Sequence, residues 1–121
     1  MMDAADFIAR TRRLTFKWGE IDCCLWSANY VREATGIDPA ADLRGCYSTA
    51  FGARQVLMAQ GGMEAIARKR MHFLKPGRTI VVARWRKQTV AGLRIGNHLF
   101  LKTPGDVLMT AEFDMLAGWD I

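Results

Sequence analysis

The hydrophobic pattern of this 121-residue chain changes near Pro76, and that change restricts the fold class more than any other feature. Before Pro76 the apolar residues recur at helical spacing, and after it short β-branched segments alternate with tight turns. Helices followed by hairpin-connected strands predict an α+β fold, with N-terminal helices packed on a C-terminal antiparallel sheet. The length, with no linker or internal repeat, predicts a single domain over residues 1–121.

Local signals place the individual elements. Four helices are predicted: one capped by Asp3 and ending near residue 13, one over residues 23–35, one capped by Ser48 or Thr49 and running through Gln60, and one over residues 63–70. Strands are predicted over residues 79–85, 90–95, 98–102 and 107–110, with a polar connection over 86–89 and a helical turn over 112–116.

The helix over residues 23–35 carries the clearest end signals, because Asp22 is a good N-cap residue and Gly36 stands at the C′ position. One face of this helix is predicted to be shared by Cys23, Trp26, Ser27, Tyr30, Val31 and Ala34. Trp26, Tyr30 and Phe51 are predicted core residues. Trp18 and Trp119 are predicted to cover the ends of the sheet, and Asp42 is expected to pair with Arg44.

The net charge of +5 is concentrated in a basic band over residues 65–87, which holds eight cations and no acidic residue. Those cations are Arg68, Lys69, Arg70, Lys75, Arg78, Arg84, Arg86 and Lys87. The band would suit an acidic partner, or it is simply a solvated helix end and strand edge. Nucleic acid is the weakest interpretation, since the band lacks interleaved exposed aromatics and any recognition-helix signature.

Several classes of function find no support in the sequence. Three cysteines in a chain without a disulfide framework favour a reduced compartment, and the two histidines and three cysteines match no metal-ligand spacing. The glycines are dispersed rather than arranged as a phosphate or dinucleotide loop, so no cofactor is predicted. No apolar run approaches the roughly 20 residues that span a bilayer.

Cys23 is the main candidate for chemistry. A cysteine in the first turn of a helix meets unpaired N–H groups and the positive end of the helix dipole, and both favour the nucleophilic thiolate. A helix-start cysteine followed by a sheet that carries a histidine is the arrangement of papain-like cysteine peptidases. The alternative is that Cys23 and Cys24 are small core residues under the sheet.

The segment that begins at Trp18 resembles the nucleophile motif of NlpC-type cell-wall cysteine peptidases, in which Asp-Cys opens the helix of a papain-like fold. More specifically, residues 18–49 resemble an uncharacterised phage-encoded branch of that superfamily. Its members read Trp-Gly-x-x-Asp-Cys and then Thr-Gly-x-Asp-Pro-Ala-Ala-Asp-x-Arg-Gly-x-Tyr. The second motif stands here as residues 35–47. The resemblance implies a papain-like NlpC-type fold with Cys23 as nucleophile.

The chain departs from the NlpC pattern at the general base. The family places its catalytic histidine immediately before a Val-Gly-Ile strand, and Ala91 occupies that position here. The nearest histidine is His98, across the Gly96-Asn97 turn, and it is the candidate base. No residue matches the third, polar member of the triad.

Two functions follow from the resemblance, and whether the chain is an enzyme stays open. The first is a non-catalytic NlpC-like module, a structural or assembly component of a phage tail tip with a degenerate peptidase site. The alternative is an active cysteine endopeptidase or amidase that cleaves peptidoglycan stem peptides during infection. Expected partners are other phage tail proteins and, for the active form, peptidoglycan. The expected location is the virion tail, after synthesis in the bacterial host cytoplasm.

Overall fold

The computed structural model describes residues 3–121 and has the predicted order of elements, helices first and strands after. The helices are α1 (Ala4–Thr11), α2 (Cys23–Thr35), α3 (Ala50–Ala59) and α4 (Met63–Arg70). The strands are β1 (Lys75–Trp85), β2 (Gln88–Ile95), β3 (His98–Lys102), β4 (Val107–Thr110) and β5 (Asp114–Asp120). The α+β class is confirmed.

Capping side chains begin three of the helices where the sequence predicted. The carboxylate of Asp3 accepts from the Asp6 N–H, that of Asp22 from the Leu25 N–H, and the Thr49 side chain from the Gly52 N–H. Gly36 ends α2 with φ +80°, a left-handed conformation that glycine adopts without steric cost.

All five strands form one antiparallel sheet in the order β4-β3-β2-β1-β5. The helical turn predicted over residues 112–116 was wrong. Residues 114–120 form β5 instead, because they pair with β1, and that long-range pairing outweighs local preference. The connection predicted over 86–89 is also shorter, since Gln88 pairs with Trp85 and only Arg86 and Lys87 form the turn.

The sheet is buried on both faces. Ile80 and Val82 of β1 belong to a cluster with α1 and α2, whereas Val81 and Ala83 belong to a second cluster on the opposite face. This explains why the middle of β1 is continuously apolar instead of alternating. The helix-side cluster contains Phe7, Trp26, Tyr30, Val31, Leu93 and Trp119, among others.

The prediction of core residues was right for Trp26 and Tyr30, which are buried. It was wrong for Phe51, which is 70% exposed. Helix α3 turns Ala53 inward, with Val56 and Leu57 partly buried against a further cluster around Leu25, and this rotation leaves Phe51 outside. Trp119 lies within the core, and Trp18 is half-buried with its ring 4.9 Å from that of Phe16. Within residues 3–121 no helix is long and apolar enough to cross a membrane.

Candidate functional site

Cys23 is the first residue of α2, as predicted, and α2 packs on β2 of the antiparallel sheet. Because Asp22 caps the helix, the side chain of Cys23 starts from a fixed backbone position at the junction of helix and sheet. Cys23 and Cys24 are half-buried and Cys46 is exposed, and all three thiols are free.

The thiol of Cys23 is not activated by its surroundings. Burial, followed by the negative charge of Asp22, raises the pKa of Cys23 to about 11. Hydrogen bonds from the backbone N–H groups of Ala91, Cys24 and Cys23 itself favour the thiolate but do not compensate. At pH 7 a thiol of that pKa is ionised in about one molecule in ten thousand.

The backbone N–H of Ala91 in β2 is thus one of the groups that act on the Cys23 thiol, and the NlpC resemblance expects the base at that position. Its side chain is a methyl group, which neither accepts nor donates a proton. Ala91 is itself buried, on the same face of β2 as Leu93 of the helix-side core.

The structure does not bring His98 to Cys23. His98 begins β3, is exposed, and pairs with Ile95, four residues beyond Ala91 on β2. Four strand residues separate the two positions by roughly 13 Å, several times the reach of a hydrogen bond. Among the described residues, no imidazole is one of the groups that shift the Cys23 pKa.

Asp22 caps α2, as the sequence predicted, and it also binds two loops, which the sequence did not predict. Its carboxylate is almost fully buried, with 1% of the residue exposed, and it accepts three hydrogen bonds. The donors are the backbone N–H of Gly19 at 3.1 Å, the backbone N–H of Leu25 at 2.9 Å and the hydroxyl of Tyr47 at 2.7 Å. Asp22 thus ties the loop before α2 to the helix and to a second loop.

Tyr47 is the residue of this site that sequence reasoning missed. Its hydroxyl donates to Asp22, and burial together with that carboxylate raises the pKa of Tyr47 far above the range in which it could ionise. The only sequence signal was its place at the end of the second motif. Tyr47 was not singled out, because 24 residues separate it from Cys23 and nothing local predicts the contact.

Gly19 closes the same junction from the backbone side. It has φ +83°, and its carbonyl accepts from the Gly45 N–H at 2.9 Å. A Cβ at position 19 would lie 2.0 Å from the Tyr47 carbonyl oxygen. The two loops are therefore so close that only glycine fits at this position. We call this contact of Gly19, Asp22, Gly45 and Tyr47 the loop clasp.

The predicted ion pair between Asp42 and Arg44 was wrong, because each residue pairs with a different partner. Arg44 instead makes a two-pronged contact with Asp38, at 2.7 and 3.1 Å, and Asp42 pairs with Arg70 of α4. The chain folds Asp38 back toward Arg44, since the Asp38 carboxylate also accepts from the Ala40 N–H. The loop is therefore closed on itself by one pair and tied to α4 by the other.

An apolar cavity of about 50 Å³ lies between α2, α4 and the sheet. Cys24, Ala91 and Trp119 are among the residues that line it, and burial raises the pKa of Cys24 to about 12. The space next to Ala91 is therefore apolar rather than occupied by a polar triad member. Among residues 3–121 no group of three or more His, Cys, Asp or Glu side chains is placed to hold a metal ion.

Comparison with known proteins identifies one family. Residues 2–121 match the profile of a family described as "Domain of unknown function (DUF6950)". No curated protein and no solved structure matches the chain. Since the matched segment covers nearly the whole sequence, this chain belongs to the DUF6950 family of unknown function.

Proposed function

We propose that this chain is an NlpC-like module of a phage tail, a structural or assembly component in which Cys23 does not hydrolyse peptide bonds. The observation that carries the proposal is the contact between the Cys23 sulfur and the Ala91 backbone. It joins the helix-start cysteine to the strand position at which an NlpC-type peptidase would carry its base.

Hydrolysis by a cysteine needs a base within hydrogen-bond reach of the sulfur, both to form the thiolate and to protonate the leaving amine. Ala91 offers neither function, and His98 lies about four strand residues away. The raised pKa of Cys23 removes the remaining route, which is a thiol that ionises without a base.

The N–H groups at the start of α2 and at Ala91 would still stabilise a partial negative charge near the sulfur. A site with amide donors and no base suits binding of a carbonyl group without cleavage. The assignment to a phage tail rests on the resemblance of residues 18–49, and tail proteins are the expected partners on the same ground.

Thiol reactivity tests the proposal. In a Cys24→Ala/Cys46→Ser background, we expect iodoacetamide to label Cys23 slowly at pH 6 to 8. The labelling rate should rise only well above the ordinary thiol pKa of about 8.5, because burial disfavours the thiolate. A variant that keeps only the exposed Cys46 supplies the reference for an accessible thiol. Rapid labelling near pH 6 that is slowed by His98→Ala would instead show that His98 activates Cys23, which contradicts a degenerate site.

Restoring the missing base is the complementary test. We expect Ala91→His to place an imidazole beside the sulfur and to lower the pKa of Cys23 by about 2 units or more, as His-paired cysteines show. The readout is the pH midpoint of Cys23 alkylation. Ala91→Leu is the matched control, since it adds bulk beside the cavity without a titratable ring. Equal alkylation midpoints in the two variants would mean that a side chain at position 91 does not interact with the Cys23 thiol.

A further inference from the structure

The turn between β1 and β2 holds two consecutive non-glycine residues in the left-handed region. Arg86 has φ +47° and Lys87 has φ +63°, and they are the only non-glycine residues among those described with positive φ. Trp85 pairs with Gln88, so this is a two-residue hairpin turn, a type in which Asn-Gly is the favoured sequence. Two cationic residues thus occupy turn positions that asparagine and glycine would fill with less backbone strain.

The cations at this turn and just before it are not paired with a carboxylate in the described part of the molecule. Arg84, Arg86 and Lys87 are exposed, and none of them takes part in a salt bridge within residues 3–121. The Arg86 guanidinium lies over the Trp85 ring, 4.7 Å from its centroid. A stacked guanidinium is held in place while its edge N–H groups stay available for a carboxylate.

The rest of the basic band lies elsewhere and is partly neutralised. Lys75 begins β1 and pairs with Asp120, at the opposite end of β5 from Asp114, the partner of Arg84. In α4, Arg68 pairs with Glu64 and Arg70 with Asp42. The band that is continuous in sequence is therefore divided in the fold, and three of its exposed cations lie together at the hairpin tip without a salt bridge in the described residues.

We propose that the β1–β2 hairpin tip, formed by Arg84, Arg86 and Lys87, docks an acidic segment of a partner protein. Three cations at one exposed turn match a few carboxylates, and the stacked Arg86 would bind one of them bidentately. The tip borders a groove of about 510 Å³ whose other wall includes Glu112 and Asp114. Since those carboxylates would repel any anion from the groove, the contact is confined to the tip itself. Three cations at one turn match the few carboxylates of an acidic protein segment better than the repeating phosphates of nucleic acid.

The hairpin tip lies just before the first residue of β2, and its cations are exposed whether or not the Cys23 thiol is reactive. Failure of the docking experiment would leave the alkylation results unchanged, and the converse is also true.

The experiment uses a short peptide of alternating Glu and Ala as the probe and follows backbone amide shifts by NMR at about 20 mM and about 300 mM ionic strength. We expect the largest shifts at Arg84, Arg86 and Lys87, and weaker binding at the higher salt. Arg86→Asn/Lys87→Gly removes both charges while supplying the favoured turn sequence. It should weaken peptide binding about tenfold with an equal or higher melting temperature.

Arg13→Gln/Lys69→Gln is the matched control, because it also removes two exposed cations that form no salt bridge in the described structure. It should weaken binding less than about twofold. Equal weakening by the two double variants would overturn the proposal, since net charge alone would then explain binding. No peptide-induced shift at the tip would also overturn it, as would tighter binding of an oligothymidylate at the same residues.

Discussion

Gly19→Ala is expected to destabilise the fold by about 4 kcal/mol or more, the largest effect of any single methyl group in the loop clasp. The added Cβ would lie 2.0 Å from the backbone oxygen of Tyr47, and a backbone atom cannot move aside as a flexible side chain can. The left-handed φ of +83° adds roughly 1 kcal/mol for any residue that has a Cβ. Urea unfolding followed by tryptophan fluorescence measures the loss.

Gly36→Ala separates these two contributions. Gly36 has nearly the same φ, +80°, but a Cβ there would meet nothing within 4 Å. It should therefore lose only the conformational part, about 1 kcal/mol. Similar losses in the two variants would show that the contact with Tyr47 is not close in solution.

Asp22→Ala is expected to cost about 3 kcal/mol or more, because three donors lose one buried acceptor at once. Asp3→Ala is the matched control, since Asp3 also caps a helix but does so at an exposed site, through its bond to the Asp6 N–H. Loss of that cap should cost about 1 kcal/mol. Equal losses would mean that the buried hydrogen bonds of Asp22 add nothing beyond helix capping.

Asp22→Asn tests whether this residue acts as a structural acceptor or as a catalytic partner of the thiol. The negative charge of Asp22 raises the Cys23 pKa, so removing it should lower the pKa and speed alkylation at neutral pH. A catalytic carboxylate that supports the nucleophile would give the opposite result, slower alkylation. Chemical denaturation of the same variant reports the stability change separately.

Local signals in the sequence were enough to predict α2 at both ends. Asp22 and Gly36 cap the helix through neighbouring backbone atoms, so the sequence within a few residues is enough to predict where the helix begins and ends. β5 could not be found in this way, because its stability comes from pairing with β1, which lies far away in the chain. Phe51 failed for a related reason, since the packing of α3 on the cluster around Leu25 decides which helix face is buried.

The candidate site divides along the same line. Cys23 was predicted from its place at the start of a helix and from motif resemblance, and position 91 was marked by the resemblance alone, because periodicity carries no information about distant contacts. Tyr47 and the true partners of Asp42 and Arg44 depend on how two loops meet, and charge spacing alone allowed several pairings. His98 was the histidine nearest to Ala91 in sequence, but the fixed rise of a strand keeps it opposite Ile95, at the far end of β2 from Ala91.

The pairing of β5 with β1 also sets an order of events during synthesis. β1 is apolar on both faces, and one of its edges has no partner until residues 114–120 have been made. Until β5 has emerged and paired, the chain presents an unpaired, hydrophobic strand edge, and chaperone binding at that stage would protect it from aggregation.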